Sequence, residues 1–194
     1  MGNAREDPTL RFRLMSRTFI LPAGIAWAAL VACGSAKLLN YDFTPGAAGT
    51  PTRSWPADCG IRPDGDSARL VMIAHPHCPC TRASIAEVAH IMARAQKPVV
   101  AYVLFYRPRE FPQGWERTDL WRSAAAIPGV TALADPEGRE AQRFGAVTSG
   151  HVLLYDRTGQ LMFTGGITGS RGHVGDNAGC DRVIRLLTRI RMKR

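Results

Sequence analysis

"RLVMIAHPHCPCTRAS" (69–84) is the stretch whose reading decides the fold. Its first part belongs to "ARLVMIA" (68–74), a short apolar run rich in strand formers, which predicts a buried central strand. Pro76 and Pro79 end that strand. Beyond them Ile85, Val88, Ala89 and Met92 recur at helical spacing, with Glu87, Arg94 and Gln96 assigned to the opposite side and Pro98 closing the segment. Two thiols, Cys78 and Cys80, are thereby expected at a strand-to-helix junction, one residue apart and flanked by His75 and His77.

Reading outward, "PVVAYVLFY" (98–106) predicts a second buried strand, and 115–127 a helix stopped by Pro128-Gly129. "VTALAD" (130–135) is a third strand and "PEGREAQRFG" (136–145) a short helix with a glycine stop. "HVLLYDRTGQLMFTGGI" (151–167) reads as a β-hairpin around a turn ending at Gly159. A glycine-rich loop, "TGSRGHVGDNAG" (168–179), then leads to a last amphipathic helix, 181–191. The order β-α-β-α-β-α-β-β-α predicts an α/β mixed sheet covered by helices on both faces.

The chain has 194 residues and is 45% hydrophobic, enough for one compact domain and an appendage. The appendage is "TFILPAGIAWAALVACGSA" (18–36), uncharged and long enough to span a bilayer, preceded by Arg5, Arg11, Arg13 and Arg17. We therefore expect a basic cytoplasmic N-terminus (1–17), a transmembrane signal anchor (18–39), a linker (40–56) rich in Pro, Gly and Thr, and a globular domain (57–194). That orientation places the domain in the periplasm, on a single-pass inner-membrane anchor. The alternative is a lipoprotein anchored at Cys33, because "LVAC" (30–33) matches a lipoprotein processing box. The net charge of +9 is shared between the N-terminal segment and a basic end at Arg182, Arg185, Arg189, Arg191, Lys193 and Arg194. No groove-fitting module or interleaved aromatics accompany it, so nucleic acid is not an expected partner. Four cysteines in the exported part (Cys59, Cys78, Cys80, Cys180) point to paired thiol chemistry.

"DPEGREAQRFGAVTSGHVLLYDRTGQLMFTGG" (135–166) resembles the C-terminal half of the thioredoxin fold as found in exported TlpA-like and peroxiredoxin-like proteins. With the anchor, "YDFTPG", "HPHCPCTRAS" and "GGITGSRGHVGDN", the pattern most resembles the RedB-type membrane-anchored thioredoxin-like proteins. The resemblance implies a thioredoxin-like α/β domain, thiol-disulfide oxidoreductase activity and protein or small-molecule thiols and disulfides as partners. Two departures stand out. The family's Cys-x-x-Cys is here Cys78-Pro79-Cys80, and Ser149 or Gly150 falls where the family places a cis-proline that shapes the substrate groove and excludes metal. His75 and His77 also replace the Thr or Ser of the peroxiredoxin signature, which argues against peroxidase activity.

At the expected junction Cys78 is the nucleophile, its thiolate favoured by unpaired backbone N–H groups, and Cys80 resolves the mixed disulfide. A ring closed through one residue is strained, which makes the pair oxidising. No cofactor is expected on this reading. The alternative is a copper-binding metallochaperone using His75, His77, Cys78 and Cys80, a soft ligand set; a third class is a non-catalytic interaction module. The end of the second hairpin strand is expected back at the edge carrying the cysteines, so that Arg171, His173, Asp176 and Asn177 border Cys78, with His173 a candidate proton shuttle. His77 is read as tuning the Cys78 thiolate. Cys59 and Cys180 are candidates for a structural disulfide, and Cys180 is an alternative resolving thiol.

Overall fold

A computed structural model describes residues 8–44, 46–47, 49–62 and 66–188, with side chains from residue 19 onward. The expected basic residues of 1–17 and the tail 189–194 lie outside the described residues or side chains. The chain divides into two compact units, Met1–Thr44 and Pro45–Arg194.

The first unit is one helix, α1 (Pro8–Phe43), which carries Pro22 without breaking. Its stretch Phe19–Phe43 is 25 residues, wholly exposed, and long and apolar enough to cross a membrane or to act as a signal helix.

The second unit follows the order read from sequence: β1 (Ala68–Ala74), α2 (Pro79–Arg94), β2 (Val99–Arg107), α3 (Asp119–Ala125), β3 (Val130–Pro136), α4 (Arg139–Arg143), β4 (Val152–Tyr155), β5 (Leu161–Gly165) and α5 (Ala178–Thr188). The five strands lie in the order β3-β2-β1-β4-β5. β1, β2 and β3 are parallel, and the β4-β5 hairpin joins β1 antiparallel. β1 is central, with Leu70 to Ala74 all buried, as a strand covered on both faces requires.

Alternation along the strands sorts the core into two layers. Leu70, Met72 and Ala74 face α2, α3 and α5 with Val88, Ile91, Leu120, Val183 and Leu187. Val71 and Ile73 face the other way, toward Phe144, Tyr155, Ile61 and Trp55. Because β5 is antiparallel to β4 and β4 to β1, β5 ends at the same edge as β1. The glycine-rich loop therefore begins beside the cysteine motif.

Several boundaries differ from the sequence reading. The helix expected over 115–127 begins only at Asp119, because 112–117 is held in turns, with Trp115 N donating to Pro112 O and Arg117 N to Gly114 O. α5 starts at Ala178 rather than 181, since Asn177 Oδ1 accepts the Cys180 N–H at 2.7 Å as an N-cap. The second half of the expected linker is docked on the sheet. Thr50 N donates to Gly145 O, Leu161 N to Arg53 O and Trp55 N to Gly159 O. Trp55 then packs edge-on against Phe144 and Tyr155, with ring centroids 4.9 and 5.4 Å away. An indole that covers the second core layer is not spacer, whatever the proline and glycine content around it.

Candidate functional site

The end of β1 is fixed before the cysteines begin. Ile73 N donates to His151 O at 2.9 Å and Gly150 N to Ile73 O at 2.7 Å, which ties β1 to the segment leading into β4. His75 N donates to Ser149 Oγ at 3.0 Å, while Thr81 Oγ1 donates to His75 O at 3.0 Å. Ser149 and Gly150 thus stand beside the motif and brace its backbone. Gly150 has φ +85°, and a Cβ there would stand 3.3 Å from Ser84 Oγ, so position 150 takes glycine on conformational and steric grounds.

Cys78 N donates to His75 O at 3.2 Å, closing a turn whose last residue is the N-cap of α2. Pro79 occupies the first helical position, where a missing N–H costs nothing. Cys80 follows in the first turn. Both thiols are free and half-buried. The Cys80 thiol is pushed up from its ordinary value by burial first, then by the charge of a Cys78 thiolate and a hydrogen bond to it, with Arg171 pulling the other way. The two thiols are thus close enough to act on each other electrostatically.

The histidines lie in an aromatic patch. His77 is 4.4 Å from Trp115 between ring centroids, His75 is 6.2 Å from Tyr106, and Trp115 stacks on Phe111 at 4.5 Å. His75 Nδ1 accepts the His77 N–H at 3.3 Å. Burial, then neighbouring His77, lowers the His75 pKa, so the ring is neutral near pH 7. The loop below is held by Thr118 Oγ1, which donates to Pro76 O at 3.1 Å.

Metal binding was the alternative for this cluster. One imidazole nitrogen is already spent on a backbone N–H, and among the described residues no three His, Cys, Asp or Glu side chains converge on a point that would hold a metal ion.

The loop after β5 reaches the site. A Cβ on Gly172 would lie 4.0 Å from Cys80 Sγ, and the Arg171 charge acts on the same sulfur. His173 is exposed and turned onto its own loop, with Nδ1 2.8 Å from Ser170 Oγ and 2.9 Å from Arg171 O. Asp176 is exposed, and Asn177 caps α5. Cys59 and Cys180 are both free and sit on opposite faces of the sheet, Cys59 against the Phe144 layer and Cys180 in the Val183 layer. The expected disulfide between them is therefore corrected: the sheet stands between the two sulfurs. Cys180 is 3% exposed, in the core layer that includes Val183 and Leu187, which leaves it unavailable as a resolving thiol in this conformation.

Glu87 is the residue the sequence reading misplaced. It was assigned to the solvent side of α2 and is 4% exposed. Spacing carried the signal: Glu87 lies three residues after Ser84 and four before Ile91, both buried on the core face.

No family model matches the chain, and no curated protein matches it. Solved structures do. A secreted Mycobacterium tuberculosis disulfide oxidoreductase homologous to E. coli DsbE matches at 15% identity and TM-score 0.46, over 61% of this chain and 81% of that one. The exposed lipoprotein thioredoxin Etrx1 of Streptococcus pneumoniae matches at 17% and 0.45, over 63% and 84%. Copper-bound ScoI of Arabidopsis thaliana matches at 12% and 0.42, over 61% and 80%. The mixed sheet in the order β3-β2-β1-β4-β5, flanked by helices, is the thioredoxin-like arrangement expected from the sequence. The thioredoxin-like domain places its cysteine pair where β1 hands over to α2, and the narrower resemblance to RedB-type proteins rests on the sequence motifs.

Proposed function

We propose that the protein is a membrane-tethered, extracytoplasmic thiol-disulfide oxidoreductase that works through Cys78 and Cys80. The observation that carries this reading is the pair itself: two free, half-buried thiols one residue apart at the N-terminus of α2. Cys78 thiolate attacks one sulfur of a substrate disulfide, forming a mixed disulfide and releasing the other sulfur as thiolate. Cys80 then loses its proton to solvent and attacks Cys78 Sγ, freeing the second substrate thiol. The substrate gains two electrons, the pair loses two, and no further oxidant enters. Run backward, the same steps oxidise a dithiol. Ring strain across one intervening residue favours that direction.

Cys78 is the N-cap residue of α2, where Pro79 has no N–H and the Thr81 N–H donates to Cys78 O, so the positive end of the helix dipole is what favours an anionic sulfur there. Trp115 and Phe111 beside His77 offer a flat apolar surface to the chain that carries the disulfide. The basic residues ahead of the apolar stretch Phe19–Phe43 support a cytoplasmic N-terminus, an inner-membrane anchor and a periplasmic domain. Lipidation at Cys33 is the competing anchor. It predicts a mature chain shortened at Cys33, which intact-mass measurement of the membrane fraction distinguishes from an uncleaved helix.

The test is trapping. Full-length Cys80→Ser expressed in its exported location accumulates mixed disulfides that a reductant dissolves, whereas Cys78→Ser accumulates none. Absence of mixed disulfides from both variants would sink the oxidoreductase reading.

A further inference from the structure

Glu87 is a carboxylate in the core that disulfide exchange does not use. It shares the buried face of α2 with Ser84, Val88 and Ile91. Burying a carboxylate costs several kcal/mol unless hydrogen-bond donors answer it, so its partners show what the group holds in place. Glu87 Oε1 accepts the Gly175 N–H at 2.8 Å, and the carboxylate lies near enough to the Cys180 thiol to push its pKa up. Both groups belong to the segment that follows β5.

That segment has little else to define its shape. Gly172 and Gly175 have φ of +74° and +131°, conformations that side chains disfavour, and 170–176 contributes no residue to either core layer. Its far end is fixed where Asn177 caps α5 and where Gly179 packs so closely on Gly166 O that a Cβ would stand 2.0 Å away. Between those ends the core reaches the loop through Glu87. The span this leaves, 170–174, closes on itself through His173 and Ser170 and lies against Cys80, with the Gly172 Cβ position 4.0 Å from the sulfur.

We propose that Glu87 is a positioning residue for Cys80: from inside the core it anchors the 166–177 loop through Gly175, and so keeps Gly172 against the Cys80 sulfur. The loop backs Cys80 and keeps it directed at Cys78 instead of swinging into solvent. This deepens the exchange reading, since it assigns what keeps the resolving thiol in place, but its test needs no disulfide substrate.

The measurement uses the full-length chain in detergent, carrying Cys78→Ser and Gly172→Cys. In a buffer of reduced and oxidised glutathione, the disulfide between Cys80 and the introduced thiol forms at the expense of glutathione disulfide, and site-resolved mass spectrometry gives its equilibrium constant. Adding Glu87→Met keeps the side-chain volume in the core and removes the acceptor. The constant is expected to fall by roughly tenfold as a released loop lowers the effective concentration of its thiol. Glu87→Gln keeps an oxygen facing Gly175 and restores the constant to within about twofold. An unchanged constant in Glu87→Met overturns the proposal, as does failure of the disulfide to form in the parent. Far-UV circular dichroism and thermal unfolding establish that Glu87→Met is folded. Should it not fold, hydrogen exchange at Gly175 in the unaltered protein decides: protection supports the anchor, and exchange at the rate of a free loop overturns it. A chain that failed every trapping experiment would still give this result if the anchor is real.

Discussion

The mouth and the middle of one helix, α2, face thiols of opposite character. At the mouth of α2, Cys78 and Cys80 are half-buried and face each other. Two turns further in, Cys180 of α5 meets Glu87 in the core, 3% exposed, its thiol pushed up to about 12 by burial and then by the Glu87 carboxylate. The expected export and the cysteine count would treat all of them as candidates for pairing. Placement on the helix separates them, because a thiolate needs both access and a neighbourhood that tolerates its charge.

The largest effect expected from this contrast is in native-state alkylation. With its pKa at about 12, Cys180 is thiolate in roughly one molecule in ten thousand at pH 8. Site-resolved labelling with iodoacetamide should complete at Cys78 and Cys80 while Cys180 stays unmodified until the domain unfolds. Glu87→Gln removes the neighbouring negative charge and should raise Cys180 labelling without bringing it level with Cys78. Comparable native labelling of Cys180 and Cys78 would end the distinction between the mouth and the middle of the helix.

The mouth of the helix was legible in the sequence and its interior was not, for physical reasons. A short apolar run, a proline break and a helical period are local features, so β1, the Cys-x-Cys junction and the order of elements could be read directly. The antiparallel hairpin also carried enough topology to return the glycine-rich loop to the cysteines. Glu87 was misplaced because its charge was allowed to outweigh its angular position among Ser84, Val88 and Ile91. The Cys59–Cys180 pairing depended on which face of the sheet each thiol occupies, a property of the finished sheet and not of either segment. Trp55 and the strand-like contact at Ser54 and Gln160 were hidden by surrounding prolines and glycines that read as linker. The late start of the helix in the 115–127 pattern has the same origin: Trp115 is committed to His77 and Phe111, a contact with no local signature.

A smaller effect sharpens the account of the mouth. Inserting one alanine between Pro79 and Cys80 converts the pair to the relaxed Cys-x-x-Cys spacing while leaving Pro79 at the first helical position. The reduction potential of the full-length protein against glutathione should then fall by about 30 mV or more, a tenfold change in equilibrium constant for a two-electron couple. No change, or a rise, would show that one-residue spacing is not what makes the pair oxidising. Cys180→Ala, facing the middle of the helix, should leave the potential where it is.

The smallest effect extends the comparison to two histidines. His151 lies beneath the motif, 5% exposed, with Nε2 2.7 Å from Thr164 Oγ1, and burial lowers its pKa from the ordinary 6.5. His75, at the mouth, is lowered by burial and by His77. A histidine whose pKa is lower in the folded chain binds fewer protons there than when unfolded, so stability rises with pH across that interval. The contribution is complete above 6.5 and is lost as pH falls below it, down to the folded pKa. Asp135, whose carboxyl is pushed upward from 3.8 mainly by burial, works in the opposite direction but from the carboxylate end of the scale. Thermal unfolding should therefore show a falling midpoint between pH 7.5 and 5.5. His151→Gln keeps a hydrogen-bonding group near Thr164, carries no titrating proton, and should flatten that slope. His75→Gln should flatten it as well, and its effect on the rate of disulfide exchange at fixed pH separates a bracing role at the mouth from a purely structural one. A midpoint that does not move in the unaltered protein, or a slope that both variants leave intact, would mean that neither ring resists protonation in the folded chain.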